Sequence, residues 1–165
     1  MPLLPPPSSL LVRNFAPLAE RCAACVQADA VLDFGPIFLP SASGRIRRFK
    51  AGQNEDSGGN TLAFTGFPLS TLTPQALTSL LDAVHCRASF ALFADFKVAE
   101  RNIETPACLL MEGLRLLCRS DISSFKERGG LEGLLYAERS RFRVVERHTL
   151  LGGSLNGILA ECLRG

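Results

Sequence analysis

Residues 61–96 read TLAFTGFPLSTLTPQALTSLLDAVHCRASFALFADF, and this stretch decides the fold class. Thr61–Phe67 is a short apolar run with threonines and phenylalanines, stopped by Pro68: a buried strand. Thr73 and Pro74 then open a helix, Thr73 as N-cap and Pro74 in the first turn, where its missing N–H matters least. Leu77, Leu80, Leu81 and Val84 recur every three or four residues, which carries that helix to about His85. Ser89–Phe96 is a second buried strand. A strand, a helix and a strand in this order predict one crossover unit of a parallel sheet.

The pattern continues on the C-terminal side. Glu104-Thr105-Pro106 starts another helix, with Leu109, Leu110, Leu114 and Leu117 as its apolar stripe. Asp121–Gly130 holds a short helix stopped by Gly129 and Gly130, and Leu131–Ala137 reads as a helical turn. Phe142–Leu150 is a strand, Gly152-Gly153 a turn and Asn156–Leu163 the last strand. A hairpin after such an alternation adds antiparallel strands to one side of the sheet.

The N-terminal side is less regular. Leu11, Phe15, Leu18, Cys22 and Cys25 or Val26 give an amphipathic helix over Leu10–Gln27. Ala30–Gly35 reads as a short strand ending at a turn glycine. Residues 36–60 contain two early prolines, a basic burst (Arg45, Arg47, Arg48, Lys50) and the run QNEDSGGN. They read as an irregular loop region with room for one short strand or helical turn near Ile46–Phe49. Met1–Ser9, with its prolines, reads as a flexible tail without the basic start of a signal peptide.

Composition excludes several classes. The chain has 165 residues, of which 47% are hydrophobic and 21% charged, enough for a single packed domain over residues 1–165. A net charge of +2 does not make a nucleic-acid surface, and 7% aromatics without tryptophan make a poor stacking platform. No apolar run reaches the roughly 18 residues of a membrane span. Six cysteines scattered through apolar segments read as reduced, mostly buried thiols in a cytoplasmic protein. Cys22 and Cys25 form the one pair with redox or metal spacing, and on a helix they read as two small apolar residues. No metal site is expected.

Several of these segments resemble class I S-adenosylmethionine-dependent methyltransferases of small bacterial type. Phe67-Pro68-Leu69-Ser70-Thr71-Leu72-Thr73 looks like the end of that family's fourth strand and its loop. Ala94–Glu104 (ADFKVAERNIE) looks like the loop after the fifth strand. FKERGGLEGL at Phe125–Leu134, with Val144–Arg147 and Leu150–Gly153, is similar to the closing region. The likeness covers about residues 61–163. Val31-Leu32-Asp33-Phe34-Gly35 is similar to the first strand, ending D-x-G, but Pro36-Ile37-Phe38-Leu39-Pro40 follows where the family has G-x-G. The family also places two more strands before its fourth, and residues 36–60 hold at most one shortened crossover.

The resemblance implies a Rossmann-like α/β sheet, mostly parallel, with a C-terminal antiparallel hairpin whose last strand inserts beside residues 89–95, and an abbreviated N-terminal half. It implies S-adenosyl-L-methionine as cofactor, held by Asp33, Gly35, Phe67 and Pro68. Ligands of such sheets sit at the carboxyl ends of the parallel strands. Asp95 and Lys97 then face the methyl acceptor as catalytic residues, and Arg101 and Asn102 bind it. Glu55 and Asp56, near the offset of a ribose-binding acid, read as a solvated turn. The two histidines, His85 and His148, have no triad-like sequence context. The partner expected is a small-molecule methyl acceptor, with neither membrane nor nucleic acid. A homodimer or partner chain is expected at the edge of strand 31–34, which lacks the family's neighbouring strands. The alternative function is a non-catalytic methyltransferase-like binding or partner module.

Overall fold

The computed structural model describes residues 7–34, 46–48, 59–66, 69, 72–96, 127–150, 153 and 155–164. Its helices are α1 (Pro7–Cys25), α2 (Pro74–Arg87) and α3 (Gly130–Ala137). Its strands are β1 (Ala30–Asp33), β2 (Ile46–Arg48), β3 (Thr61–Gly66), β4 (Phe90–Phe96), β5 (Phe142–Leu150) and β6 (Leu155–Cys162). They form one sheet in the order β2-β1-β3-β4-β6-β5. The first four are parallel, while β6 lies antiparallel between β4 and β5. The expected insertion of the last strand beside residues 89–95 is therefore observed.

The connections on this side of the sheet are short. Residues 34–45 and 49–60 join β1 to β2 and β2 to β3. Each is about a dozen residues, the least that a parallel connection needs. One extra strand fits, and a second would not. It falls where the sequence left room for one short strand, near Ile46–Phe49, and it corrects one expectation: β1 is not an edge. Val31 pairs with Ile46 on one side and Leu62 on the other. Among the described residues, β2 is the outermost strand on that side.

Both faces of the sheet are covered. α1 packs on β1, β3 and β4, burying Phe15, Leu18 and Cys22 against Phe64, Leu92 and Leu159. α2 and α3 cover the other face, where Leu77, Leu81 and Leu135 meet Phe93, Phe142 and Ile158. Strand alternation produces this division: Leu62 and Phe64 point to α1, and Ala63 points to the α2 side.

The helix ends follow local rules. Thr73 accepts the Ala76 N–H at 3.3 Å and Pro74 stands in the first turn of α2, as expected. α1 closes with Gln27 at φ 53°, the Ala28 N–H reaching Ala23 and the Gln27 N–H reaching Ala24. That is a Schellman closure with glutamine in the left-handed position. α1 also begins earlier than expected, at Pro7, so Pro7–Ser9 belong to a helix rather than to the tail. The expected turn at 131–137 is a helix from Gly130. The helix expected from Glu104 lies outside the described residues.

Pro17 lies exposed within α1. It cannot donate to the carbonyl of Arg13, and its ring presses on that carbonyl. Pro17→Ala is expected to raise stability by about 1–3 kcal/mol in urea denaturation. A loss of stability would show that α1 needs the proline's bend to follow the sheet.

Candidate functional site

The parallel strands all end on one side of the sheet, and two buried carboxylates mark that side. Asp33, the last residue of β1, is 3% exposed, and Asp95, near the end of β4, is 0% exposed. Both engage partners within the protein. The parallel pairing sets their relative position. Asp33 lies opposite Phe64, which in turn lies opposite Leu92, three residues before Asp95. Two strand spacings and three residues of rise each come to about 10 Å, so the two Cα atoms are roughly 14 Å apart.

They also face different ways. Asp33 shares the side of its partner Phe64 and of Val31, the α1 face. Asp95 shares the side of Ala91 and Phe93, the α2 face. No single small ion bridges them. Between them, β3 ends in Thr65 and Gly66. Thr65 Oγ1 is buried without a hydrogen-bond partner among the described residues. A buried hydroxyl left unpaired costs about 1–3 kcal/mol. At Gly66 an added Cβ would come within 2.5 Å of the Phe64 ring, so glycine keeps that ring flat against the strand end.

Of the expected site residues, the described part brings Asp33 and Asp95 to this side. Gly35, Phe67, Pro68, Lys97, Arg101 and Asn102 lie outside the described residues, as do Glu55 and Asp56. In the sequence, Pro36 and Pro40 remove backbone donors from the segment that follows β1.

A second polar cluster was not legible from the chain. His148 is 8% exposed and faces α1. Arg21 Nη2 donates to its Nδ1 at 3.0 Å. Its Nε2 lies 3.6 Å from Cys22 Sγ and 3.6 Å from Glu146 Oε2. His148 thus has a cysteine and a carboxylate beside it, contrary to the expectation from its sequence context. It is not a nucleophilic triad, because the carboxylate and the thiol share the same ring nitrogen. Burial, with Glu146 nearby, pushes the Cys22 thiol up to about 11, so at neutral pH it is protonated. Burial likewise raises Cys162, to about 12.

On α1, Cys22 is buried and Cys25 exposed, and among the described residues no group of His, Cys, Asp or Glu could hold a metal. His85 is a brace: its Nε2 donates to the Leu163 carbonyl at 2.7 Å. No described helix is long and apolar enough to cross a membrane.

This architecture defines a class of fold. No family model matches the chain, and no curated protein is significantly similar to it. Solved structures share its fold. TnmH superposes with a TM-score of 0.59 at 14% identity, over 94% of this chain and 57% of TnmH. A LepI variant, solved in complex with SAH (S-adenosylhomocysteine) and a substrate analogue, gives 0.52 at 10% identity, over 89% of this chain and 40% of LepI. The chain therefore has the fold of part of these proteins, spanning little more than half of the first and two-fifths of the second.

Proposed function

We propose that this chain is a methyltransferase-like domain that binds S-adenosyl-L-methionine and transfers its methyl group to a small molecule. The observation that supports this most is the strand order, with β6 antiparallel between β4 and β5, combined with buried carboxylates at the ends of β1 and β4. The fold shared with LepI, a protein captured with SAH, adds support. In this reading Asp33, Gly35, Phe67 and Pro68 hold the cofactor, which supplies an electrophilic methyl group on a sulfonium when bound. Arg101 and Asn102 orient the acceptor. Asp95 and Lys97 stand beside it, Asp95 taking its proton where the acceptor must lose one.

The second reading is a non-catalytic binding or partner module. The sequence after β1 favours it, because Pro36 and Pro40 stand where the family has the glycines that allow close backbone approach to the cofactor. A partner strand would then add to β2, the outer strand of the described sheet.

Calorimetric titration with S-adenosylmethionine and S-adenosylhomocysteine separates the two. Weak saturable binding is expected, and Gly35→Val should abolish it by blocking backbone approach. Asp33→Asn should weaken it roughly 10–100-fold, the loss of one hydrogen bond to a charged group. No heat with either compound in the folded wild type would leave the module reading. Unchanged heats in Gly35→Val would move the cofactor away from this turn.

A further inference from the structure

We propose that His148 is a proton-controlled latch joining α1 to the outer hairpin of the sheet. The inference concerns the apo protein and does not depend on the methyltransferase reading. A guanidinium has only donors, so the contact from Arg21 Nη2 to Nδ1 makes Nδ1 an acceptor. The ring proton is then on Nε2, directed toward the Cys22 thiol and the Glu146 carboxylate. This arrangement requires a neutral imidazole.

The local fold prepares the seat. His148 lies opposite Gly157 on β6. A Cβ at Gly157 would meet Leu18 of α1 at 2.8 Å and the His148 Cβ at 3.7 Å, so glycine lets helix and imidazole settle onto the sheet. A bulge at Val145 sets the direction: Val144 pairs with Ala160 but Glu146 with Leu159, which turns Glu146 and His148 from the α2 side to the α1 side. Among the described residues, the polar groups facing the ring are Arg21 and Cys22 from α1 and Glu146 from its own strand, with Gly157 opposite it on β6.

Taking up a proton from solvent converts Nδ1 into a donor. It then cannot accept from Arg21, and two cations stand together. Nε2–H keeps its carboxylate, now as an ion pair with Glu146. The proton therefore exchanges a tie between α1 and β5 for one within β5. The two changes oppose each other in overall stability and act together on α1. Because α1 covers β1, β3 and β4, loosening it uncovers the face on which Asp33 lies.

Hydrogen exchange of the α1 amides, expressed as protection factors between pH 8 and pH 5, tests the latch. Wild-type protection is expected to fall roughly 10–100-fold on acidification, the loss of one hydrogen bond to a charged group. His148→Gln should show no such pH dependence. Equal pH dependence in wild type and His148→Gln would overturn the proposal. Should His148→Gln not fold, nitrogen NMR of the wild type decides. The chain has only two histidines, and an Nδ1–H tautomer for His148 at pH 8 would also overturn it.

Discussion

Phe142→Ala is expected to lower stability by about 3–5 kcal/mol, the range for removing a buried phenylalanine. For a domain of this size the melting temperature should fall by roughly 6–20 °C. Phe142 is 1% exposed at the start of β5 and joins three elements. Its ring meets Phe93 of β4 edge-on at 5.3 Å between centroids, and His85 of α2 edge-on at 5.7 Å. The Arg141 guanidinium stands 5.8 Å from the ring while pairing with Asp82 of α2 at 2.6 Å. Removing the ring opens a cavity between β4, β5 and α2. The surrounding groups sit on a sheet, which cannot collapse into that space. His85 is also anchored to Leu163, so it cannot move in to fill the gap. Phe142→Leu retains most of the volume and should lose less. A loss under about 1 kcal/mol for the alanine variant, measured by urea denaturation, would mean that the α2 face is not packed as described.

The α2 face was legible because each of its determinants is local. Leu77, Leu81 and Val84 recur at helical spacing behind the Thr73 cap, and the observed helix follows them with two residues added at its end. β3 to β6 fall within a residue or two of the ranges read from their apolar runs and turn glycines. β2 was legible only as a short strand or helical turn near Ile46–Phe49, because two of its three residues are arginines. It becomes a strand through pairing with β1, which the chain's periodicity does not encode. The bulge at Val145 was invisible for a related reason. In Phe142–Leu150 the even positions read F, V, E, H, L, which by simple alternation would share one face. The extra residue divides them, placing Phe142 and Val144 with α2 and His148 with α1. The contact between His148 and Cys22, 126 residues apart, depends on that division and on α1 crossing the sheet. Within the candidate site, Asp33 and Asp95 were legible as polar residues closing apolar strands. Their opposite facing needed the register.

The second large effect is expected at a position whose side chain is a hydrogen atom. Gly133→Ala should destabilise the protein by about 3 kcal/mol or more and detach α3. Gly133 lies in the helix interior, where alanine is ordinarily favoured over glycine by about 1 kcal/mol. Here the start of the helix reverses that preference. Gly129 and Gly130 adopt φ 81° and φ 63°, the left-handed region, and turn the chain sharply before the first helical turn. The turn carries the Arg128 carbonyl back over Gly133, where an added Cβ would overlap its oxygen. That atom is backbone and cannot rotate away, so the whole turn must move. The turn is also held by the Gly133 N–H donating to the Gly129 carbonyl at 3.1 Å. Displacing it unseats Leu131 and Leu135, which are 2% and 1% exposed in the core on the α2 side. Losing the burial of such leucines costs about 2–5 kcal/mol each. Glu132→Ala supplies the comparison on the same helix. It removes an exposed ion pair with Arg147 (2.7 Å) and should change stability by less than about 1 kcal/mol. Urea denaturation measures both variants, and hydrogen exchange of the α3 amides locates the effect. If Gly133→Ala proves as stable as wild type with α3 still protected, then the Arg128 carbonyl does not lie over the helix and the glycine pair does not turn the chain as described.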